Sequence, residues 1–468
     1  MLFNSVEFFL FFTTIVVCHF LCPHRYRLWI LLTGSYVFYV FWRWEYAFLL
    51  LGQTLVSYAG AWGIAHSSTS GKRKILLVVT LSSALALFIA FKYLGFAVAS
   101  LNALPRLFGS DAILPAIDIL LPIGISFYTF QAMGYVIDVY RSRVPVEKHL
   151  GRYALYVSFF PQLVAGPIER AERLLPQFVR ESRIDFDRLR SGAVLIAWGL
   201  FKKMVIADRL AQYVDIVYAA PHAYSGSTLL LATYFFAFQI YCDFSGYSDI
   251  AVGAARILGY DLMQNFCRPY FADSIAEFWR RWHISLSTWF RDYLFIPLGG
   301  SRTTAAKWVR NVLIVFLLSG LWHGANWTFV VWGALHGALY LFERKISNGR
   351  VSSSASKRGW KFVRILITFH LVLFAWVFFR AATIGKAFSI LGRIVTHMTE
   401  PLYSGPSGVT MALSLAGIGI LLVVQAQQAS GRSLSAHSVV VRWAVYAGLV
   451  FGISIFGVGT RAFIYFQF

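Results

Sequence analysis

Charged residues are scarce in this sequence, and their scarcity excludes most classes of soluble protein. Only 13% of the 468 residues are Asp, Glu, Lys or Arg, whereas 58% are apolar. Soluble globular domains carry about 25% charged residues. Apolar runs of about 17–25 residues recur along the chain, and a membrane-spanning helix needs that length. The composition therefore predicts an all-α, polytopic membrane protein.

The sequence also shows no sign of a separate soluble domain, a cleaved signal peptide or a metal site. Long polar blocks are missing, so we expect a single integral membrane domain over residues 1–468. A basic n-region and a small-residue cleavage pattern are missing at the N-terminus, so we expect the first apolar run to be a retained span. The four cysteines show no paired metal-ligand spacing, and we expect no metal site.

Acidic residues are half as numerous as basic ones, with 21 against 42 and a net charge of +21. In a soluble protein this charge would suggest nucleic acid. Here the basic residues lie in short loops between apolar runs, and no nucleic-acid-binding module is recognisable, so we expect no nucleic-acid partner. The charge is better explained by membrane topology and by contact with anionic lipid head groups.

The apolar runs predict about ten to twelve membrane crossings. Residues 75–91 and 96–108 are expected to be separate spans. Residues 113–139 contain Pro122 and Gly124, which predicts a bent or locally opened helix.

Three other stretches are not expected to cross the membrane. Residues 153–168 are too short to span it and include two prolines, so a re-entrant or interfacial segment is expected. Residues 169–190 mix charges of both signs and predict a solvated amphipathic segment. Residues 343–361 form a Ser-rich basic linker.

Residues 273–293 predict a helix that lies in the membrane interface. Ser274 and Glu277 fit a capping box at its start. Large apolar residues share one side of the helical wheel, arginines take the opposite side, and His283 falls on the border. The stretch could be an ordinary anchor helix. Alternatively, its arginines could bind a phosphorylated cosubstrate, because guanidinium groups match phosphate oxygens in forked pairs.

His323 is the second prominent histidine, and it lies close to a long apolar run. Small and polar residues at Ser319, Gly320, Gly324 and Asn326 would open space around it. A polar group at such depth is costly unless it is partnered or has a function. A neutral imidazole suits general-base catalysis, since its ordinary pKa is about 6.5 and burial favours the neutral form. The alternative is a histidine that only bonds to a neighbouring helix.

Four further groups are explained without catalytic chemistry. His336 would lie on another face of a continuous helix from His323, which favours a packing role. Asp243 and Asp249 need partners, for which Arg256 and Arg268 are candidates, or else one of the aspartates orients a catalytic histidine. The adjacent lysines at 202 and 203 could snorkel or meet lipid phosphate. Cys242 has no basic neighbour in sequence, which argues against a nucleophile.

Several stretches together resemble the membrane-bound O-acyltransferase family, and most closely its alginate O-acetyltransferase members. The matching stretches are L-P-I-G-I-S-F-Y-T-F-Q at 121–131, F-F-P-Q-L-V-A-G-P-I at 159–168, Y-C-D-F-S-G-Y-S-D-I-A at 241–251, F-W-R-R-W-H-I-S-L-S-T-W-F-R-D-Y-L-F-I-P-L-G-G at 278–300, G-L-W-H-G-A-N-W at 320–327 and F-I-Y-F-Q-F at 463–468. The resemblance implies about eleven transmembrane helices, with re-entrant or interfacial helices, around a central tunnel.

The resemblance also implies an active site. The family's catalytic histidine corresponds to His323, and its second polar position corresponds to His283. We expect substrate or donor contacts from a mixed set of residues: Arg280, Arg281, Arg291, Trp282, Trp322, Asn326 and Asp243. The expected donor is acetyl-CoA, used as a substrate with no tightly bound cofactor. The expected partner is an extracytoplasmic acetyltransferase with an SGNH-hydrolase-like fold, and the expected location is the bacterial inner membrane.

Other functions remain open at this stage. Related family members acetylate peptidoglycan or cellulose, or move D-alanine toward teichoic acid. A transporter would pass a substrate without chemistry, and inverted repeats, which would support it, are not found in the sequence. A scaffold subunit of a polysaccharide-modifying complex would tolerate substitution of His323.

Overall fold

The computed structural model describes residues 1–107, 114–164, 166–346, 358–431, 438–459, 461, 463 and 464. Within these ranges the regular structure is helical and contains no β-strand, which confirms the all-α prediction. Most of the basic linker at 343–361 and of the terminal stretch 463–468 lies outside the described residues.

The α-helices are α1 (Val6–Leu21), α2 (His24–Val40), α3 (Glu45–His66), α4 (Ser70–Leu107), α5 (Ile125–Tyr140), α6 (Leu150–Ser158), α7 (Phe160–Leu163), α8 (Ala171–Leu174), α9 (Phe186–Leu200), α10 (Asp208–Ala219), α11 (Gly226–Ile257), α12 (Ile275–Arg281), α13 (Ile284–Phe290), α14 (Ala305–His323), α15 (Trp327–Ile346), α16 (Arg358–Arg380), α17 (Ile384–Thr396), α18 (Gly408–Ala429) and α19 (Val439–Phe456). Two π-helices cover Phe201–Ala207 and Arg291–Phe295, and short 3-10 helices cover Leu175–Val179, Pro221–Ala223 and Pro269–Phe271.

In the described part of the chain, seven helices are long and apolar enough to cross a membrane, namely α3, α4, α11, α14, α16, α18 and α19. The protein is therefore a multi-pass membrane protein, as its composition predicts. The sequence count of ten to twelve crossings also includes shorter apolar helices such as α1, which has 16 residues. The described residues cluster in two compact units, Met1–Ala193 with Ala251–Met263 and Val194–Ile250 with Gln264–Phe468.

The first unit corrects two boundaries expected from the sequence. Residues 75–91 and 96–108 are not separate spans, because α4 runs without a break over 38 residues. The expected bent helix over 113–139 is also wrong, since α5 begins only at Ile125. Its cap, Gly124, is left-handed with φ 78°, and a Cβ there would lie 2.4 Å from the carbonyl oxygen of Leu163. Glycine is thus required where the chain passes this close.

The short segments of the first unit agree in part with expectation. Helices α6 and α7 have nine and four residues and are largely buried, so neither can cross a membrane. The solvated segment predicted at 169–190 is wrong at its first two residues, which are buried. Glu169 is 1% exposed and Arg170 is 9% exposed. A carboxylate oxygen of Glu169 accepts the backbone N–H of Met263, which explains how this polar side chain is accommodated.

The second unit is built around closely packed helices and an aromatic core. A Cβ on Gly320 of α14 would lie 2.2 Å from the carbonyl oxygen of Phe329. A Cβ on Gly333 of α15 would lie 2.3 Å from the carbonyl oxygen of Phe316. Helices α14 and α15 therefore touch backbone to backbone, as small residues permit in membrane helices. The core beside them includes the fully buried tryptophans Trp282, Trp332 and Trp376.

Candidate active site

His283 lies at a break between α12 and α13, which corrects the expectation of one continuous interfacial helix. Its backbone is left-handed, with φ 43° and ψ 54°. Histidine enters this region more often than bulky residues do, but the conformation still costs about 1–2 kcal/mol. The helical wheel therefore does not describe the direction of this side chain, and the border position inferred from it is wrong.

Residues from a neighbouring loop hold the chain in this broken shape. The backbone N–H of Ile284 donates to the carbonyl oxygen of Asn265 at 2.9 Å. The backbone N–H of Cys267 donates to the carbonyl oxygen of Arg281, also at 2.9 Å. The hydroxyl of Ser285 donates to the side-chain oxygen of buried Asn265 at 2.7 Å. These hydrogen bonds satisfy polar groups that a continuous helix would have used.

The His283 ring is completely covered. Its centroid lies 4.7 Å from that of Phe244, 5.5 Å from that of Trp322 and 6.2 Å from that of His323. His283 lies outside the helices that are long enough to span a membrane. Burial lowers the pKa of His283 well below its ordinary value, because the charged form loses its solvation, and nearby His323 acts in the same direction. Burial therefore favours the neutral form of this imidazole.

His323 is the last residue of α14, and its hydrogen bond defines how it can act. The ring Nδ1 lies 2.6 Å from the carbonyl oxygen of Ser319, one turn earlier. A carbonyl oxygen only accepts, so Nδ1 carries the hydrogen in this bond. In the neutral ring, Nε2 then holds the lone pair. This arrangement orients the imidazole and makes Nε2 its basic atom.

Aromatic side chains enclose His323, which is 2% exposed. Ring centroids lie at 4.9 Å for Trp332 on α15, 5.1 Å for adjacent Trp322 and 5.7 Å for Phe379 on α16. The close approach of α14 and α15 brings Trp332 against the histidine. Electrostatic interactions are stronger in such apolar surroundings than in water.

The remaining candidates, Trp282, Trp322 and Asn326, have different surroundings. Trp322 contacts both rings. Trp282 is buried in the adjoining core, where it packs against Phe278 and Trp376. Asn326 acts at the α14–α15 turn: its side-chain oxygen accepts the backbone N–H of Thr328 at 3.0 Å. Its amide nitrogen donates to the carbonyl oxygen of residue 382 at 3.1 Å.

The three candidate arginines differ in their surroundings. Arg280 is exposed. Arg281 pairs with Glu277, one turn earlier on α12. Arg291 is exposed, and its Nε donates to Asp292 at 2.7 Å. Their contact with a donor's phosphates stays a prediction.

The expected partners of Asp243 and of the lysine pair are wrong. Asp243 pairs with Lys203 at 2.7 Å, where Arg256 or Arg268 was expected. Lys203 is buried, bonds to Asp208 at 2.8 Å as well, and does not snorkel to lipid phosphate. Lys202 pairs with Asp249 at 2.7 Å. Buried charges need such partners because isolation from water is costly.

Sequence reasoning missed several residues of the site. Phe244, Trp332 and Phe379 enclose the histidines, but their type is too common in this chain to single them out. The pairing of two lysines with two aspartates could have been predicted from the sequence. Lys202 and Lys203 stand in one apolar run and Asp243 and Asp249 in the next, where each charge needs a partner. His336 has the expected packing role, with its Nδ1 3.3 Å from the indole nitrogen of Trp279. The expected continuous helix is wrong, however, because α14 ends at His323 and His336 lies on α15. In the described ranges, no group of three or more His, Cys, Asp or Glu residues is arranged to hold a metal.

Fold and site together define a polytopic α-helical membrane protein with a buried pair of neighbouring histidines. The sequence model of the membrane-bound O-acyltransferase family matches residues 145–385. The chain belongs to this family, and it is an O-acyltransferase.

Similar proteins cover most of the chain. "Probable alginate O-acetylase AlgI" of Azotobacter vinelandii is 42% identical over 389 residues, which are 82% of this chain and 76% of that protein. "Peptidoglycan O-acetyltransferase" of Helicobacter pylori is 35% identical over 395 residues, 79% of this chain and 73% of that protein. "Teichoic acid D-alanyltransferase" of Bacillus subtilis is 31% identical over 283 residues, 57% of this chain and 69% of that protein.

Proposed function

We propose that this protein is an O-acetyltransferase of the bacterial inner membrane. It takes acetyl from cytoplasmic acetyl-CoA and delivers it for O-acetylation of an extracytoplasmic polysaccharide such as alginate. The main support is the hydrogen bond from His323 Nδ1 to Ser319, which leaves Nε2 as a base in a buried site. The 42% identity to an alginate O-acetylase supports the acceptor class.

The chemistry follows from the two imidazoles. Nε2 of His323 takes the proton of an acceptor hydroxyl, and that oxygen attacks the thioester carbonyl carbon. The carbon–sulfur bond breaks, and the proton passes from His323 to the departing CoA sulfur. His283, with its ring centroid 6.2 Å from that of His323, polarises the carbonyl or positions the donor. A positioned general base contributes about 10²–10⁴-fold in rate.

Reactants must displace aromatic side chains to reach this chemistry. His283 is fully covered and His323 is 2% exposed, so neither ring is open to a substrate in this arrangement. Trp322 contacts both rings and is the side chain whose movement would uncover them together. Such gating would also keep water from the thioester.

The donor and the partner complete the proposal. Exposed Arg280 and Arg291, with Arg281 between them in sequence, are basic groups suited to CoA phosphates. Beyond the membrane, an SGNH-hydrolase-like acetyltransferase receives the acetyl group on a serine and esterifies the polymer. Peptidoglycan is the second candidate acceptor, supported by the 35% identity to a peptidoglycan O-acetyltransferase.

The decisive experiment replaces His323. Purified full-length protein in lipid nanodiscs is given acetyl-CoA labelled in the acetyl group, together with the SGNH-type acetyltransferase of the same bacterium. We expect His323→Ala to lower acetyl transfer to the partner by about 10²–10⁴-fold. His370→Ala is the matched control, because His370 is an exposed histidine on another membrane helix. Undiminished transfer by the His323→Ala protein would reject the catalytic role.

The acceptor is tested in cells. Deletion of this chain should remove ester-linked acetate from the exported polysaccharide and leave peptidoglycan acetylation intact. Complementation with the natural sequence should restore the acetate, whereas the His323→Ala sequence should not. Loss of acetate from peptidoglycan instead would establish the second candidate, and an unchanged acetate content in both polymers would contradict both.

A further inference from the structure

A buried ionic cluster lies close to the histidine site without being part of the proposed chemistry. Lys203, on the π-helix Phe201–Ala207, bonds to Asp243 at 2.7 Å and to Asp208 at 2.8 Å. The three side chains are 1%, 5% and 3% exposed. Holding three charges away from water is costly, and a hydrophobic replacement would often be as stable. The cluster therefore calls for an explanation beyond stability.

The cluster is attached to the last described part of the chain. The backbone N–H of Ile464 donates to the second carboxylate oxygen of Asp243 at 2.7 Å. Arg461 pairs with Asp215 of α10 at 2.7 Å. The N–H of Val458 donates to the carbonyl oxygen of Met204, on the π-helix, at 3.1 Å. The segment after α19 is thus held by the π-helix, α10 and α11.

The bond at Asp243 places the neighbouring side chain, Phe463, against the site. Phe463 is fully buried, and its ring centroid lies 4.6 Å from that of Tyr247 and 5.5 Å from that of Phe244. Phe244 follows Asp243 on α11, and its ring meets the His283 ring edge-on at 4.7 Å. A continuous series of contacts therefore runs from Lys203 through Asp243 and Phe463 to Phe244 and His283.

We infer that Asp243 and Phe463 are positioning residues for acyl transfer, which hold Phe244 against His283 and so fix the orientation of that imidazole. The inference rests on the proposed role of His283. Asp243 binds the returning chain through Ile464, and Lys203 neutralises the carboxylate that does so. The left-handed backbone of His283 leaves its ring dependent on such support, because no regular helix defines its direction. A misplacement of about 1 Å can cost about 10²-fold in rate.

The test is a double-mutant cycle on purified full-length protein in nanodiscs, with the SGNH-type acetyltransferase present as the hydroxyl acceptor, followed as CoA release from acetyl-CoA. We expect Phe463→Ala to lower kcat about ten- to hundredfold while the KM for acetyl-CoA stays unchanged. Phe463→Leu should retain most of kcat, because it still fills the space against Phe244. In a His283→Ala background, Phe463→Ala should have no further effect, because the residue it positions is gone.

Controls separate this inference from the proposed function. Phe451→Ala removes an exposed phenylalanine of α19 and should leave kcat unchanged. Asp243→Asn keeps an oxygen for the Ile464 N–H, and it should retain more activity than Asp243→Ala. Equal losses from Phe463→Ala in both backgrounds, or no loss in either, would overturn the inference. Full activity of the single His283→Ala protein would instead overturn the role proposed for His283.

Discussion

At the scale of single residues, the two histidines differ in how the chain orients them. His323 is oriented locally, by a carbonyl oxygen one helical turn earlier. His283 is oriented by contacts distant in sequence, because it sits in a left-handed break stabilised by Asn265. Strained backbone conformations of this kind cluster at functional sites, where the surrounding structure maintains them. The left-handed backbone of His283 supports the role proposed for this imidazole.

The backbone of His283 yields a prediction about stability and activity. His283→Ala and His283→Gly both remove the imidazole, and both should lose acetyl transfer to a similar degree. The glycine protein should nevertheless be more stable than the alanine protein by about 1 kcal/mol, because only glycine adopts φ 43° without a steric penalty.

Thermal unfolding of the two proteins in the same detergent measures the difference. Ser287, on α13, serves as a reference site with ordinary helical geometry, where Gly should be less stable than Ala. An alanine protein that melts at or above the temperature of the glycine protein at residue 283 would contradict the strained conformation.

At the scale of helices, the contact between α14 and α15 presents His323 to Trp332. Gly320 lies one turn before His323, and Gly333 is its counterpart across the contact. Each lacks a side chain where the other helix passes within van der Waals distance. The sequence motif around His323 therefore contains glycine because of helix packing, in addition to any need for space around a substrate.

Substitution of Gly320 should move this helix pair apart. In Gly320→Ala the new Cβ would lie 2.2 Å from a backbone oxygen, which no side-chain rotation can relieve. We expect a lower thermal midpoint together with a large loss of acetyl transfer, because His323 shifts relative to Trp332 and Phe379.

Gly419→Ala provides the matched comparison. Gly419 lies in α18, and no atom lies within 4 Å of a Cβ added there. This protein should keep its activity and its thermal midpoint, or gain slightly in stability from the better helix former. Equal behaviour of the two alanine proteins would show that α14 and α15 do not depend on close backbone contact.

At the scale of the whole molecule, buried ion pairs connect parts of the chain that are far apart in sequence. Residues 203, 208, 243 and 464 meet in one cluster of the second unit. Removal of one charge from such a cluster leaves its partners unpaired in an apolar environment, which is strongly destabilising. Stability should therefore depend on the balance of charges in the cluster.

Lys203→Met should destabilise the protein by about 3–5 kcal/mol, since two carboxylates lose their cation. Adding Asp208→Asn and Asp243→Asn to Lys203→Met should recover part of this loss, because the unpaired charges are then gone. Thermal unfolding and the yield of folded protein from the membrane measure both effects. Lys386→Met, at an exposed position, should change stability by less than about 0.5 kcal/mol. A Lys203→Met protein as stable as this control would refute the buried pairing.

The sequence by itself determined the class of the protein and its family, and it singled out His283 and His323 as candidate site residues. Hydrophobic runs and scarce charges indicate a membrane protein, because each residue that faces lipid must itself be apolar. This requirement is therefore visible in the composition of the sequence. Only the tertiary structure decided the break at His283, the partners of Asp243 and Lys203, and the aromatic side chains that enclose the site. Those features arise from contacts between segments distant in sequence, and an apolar run does not specify which neighbour it faces.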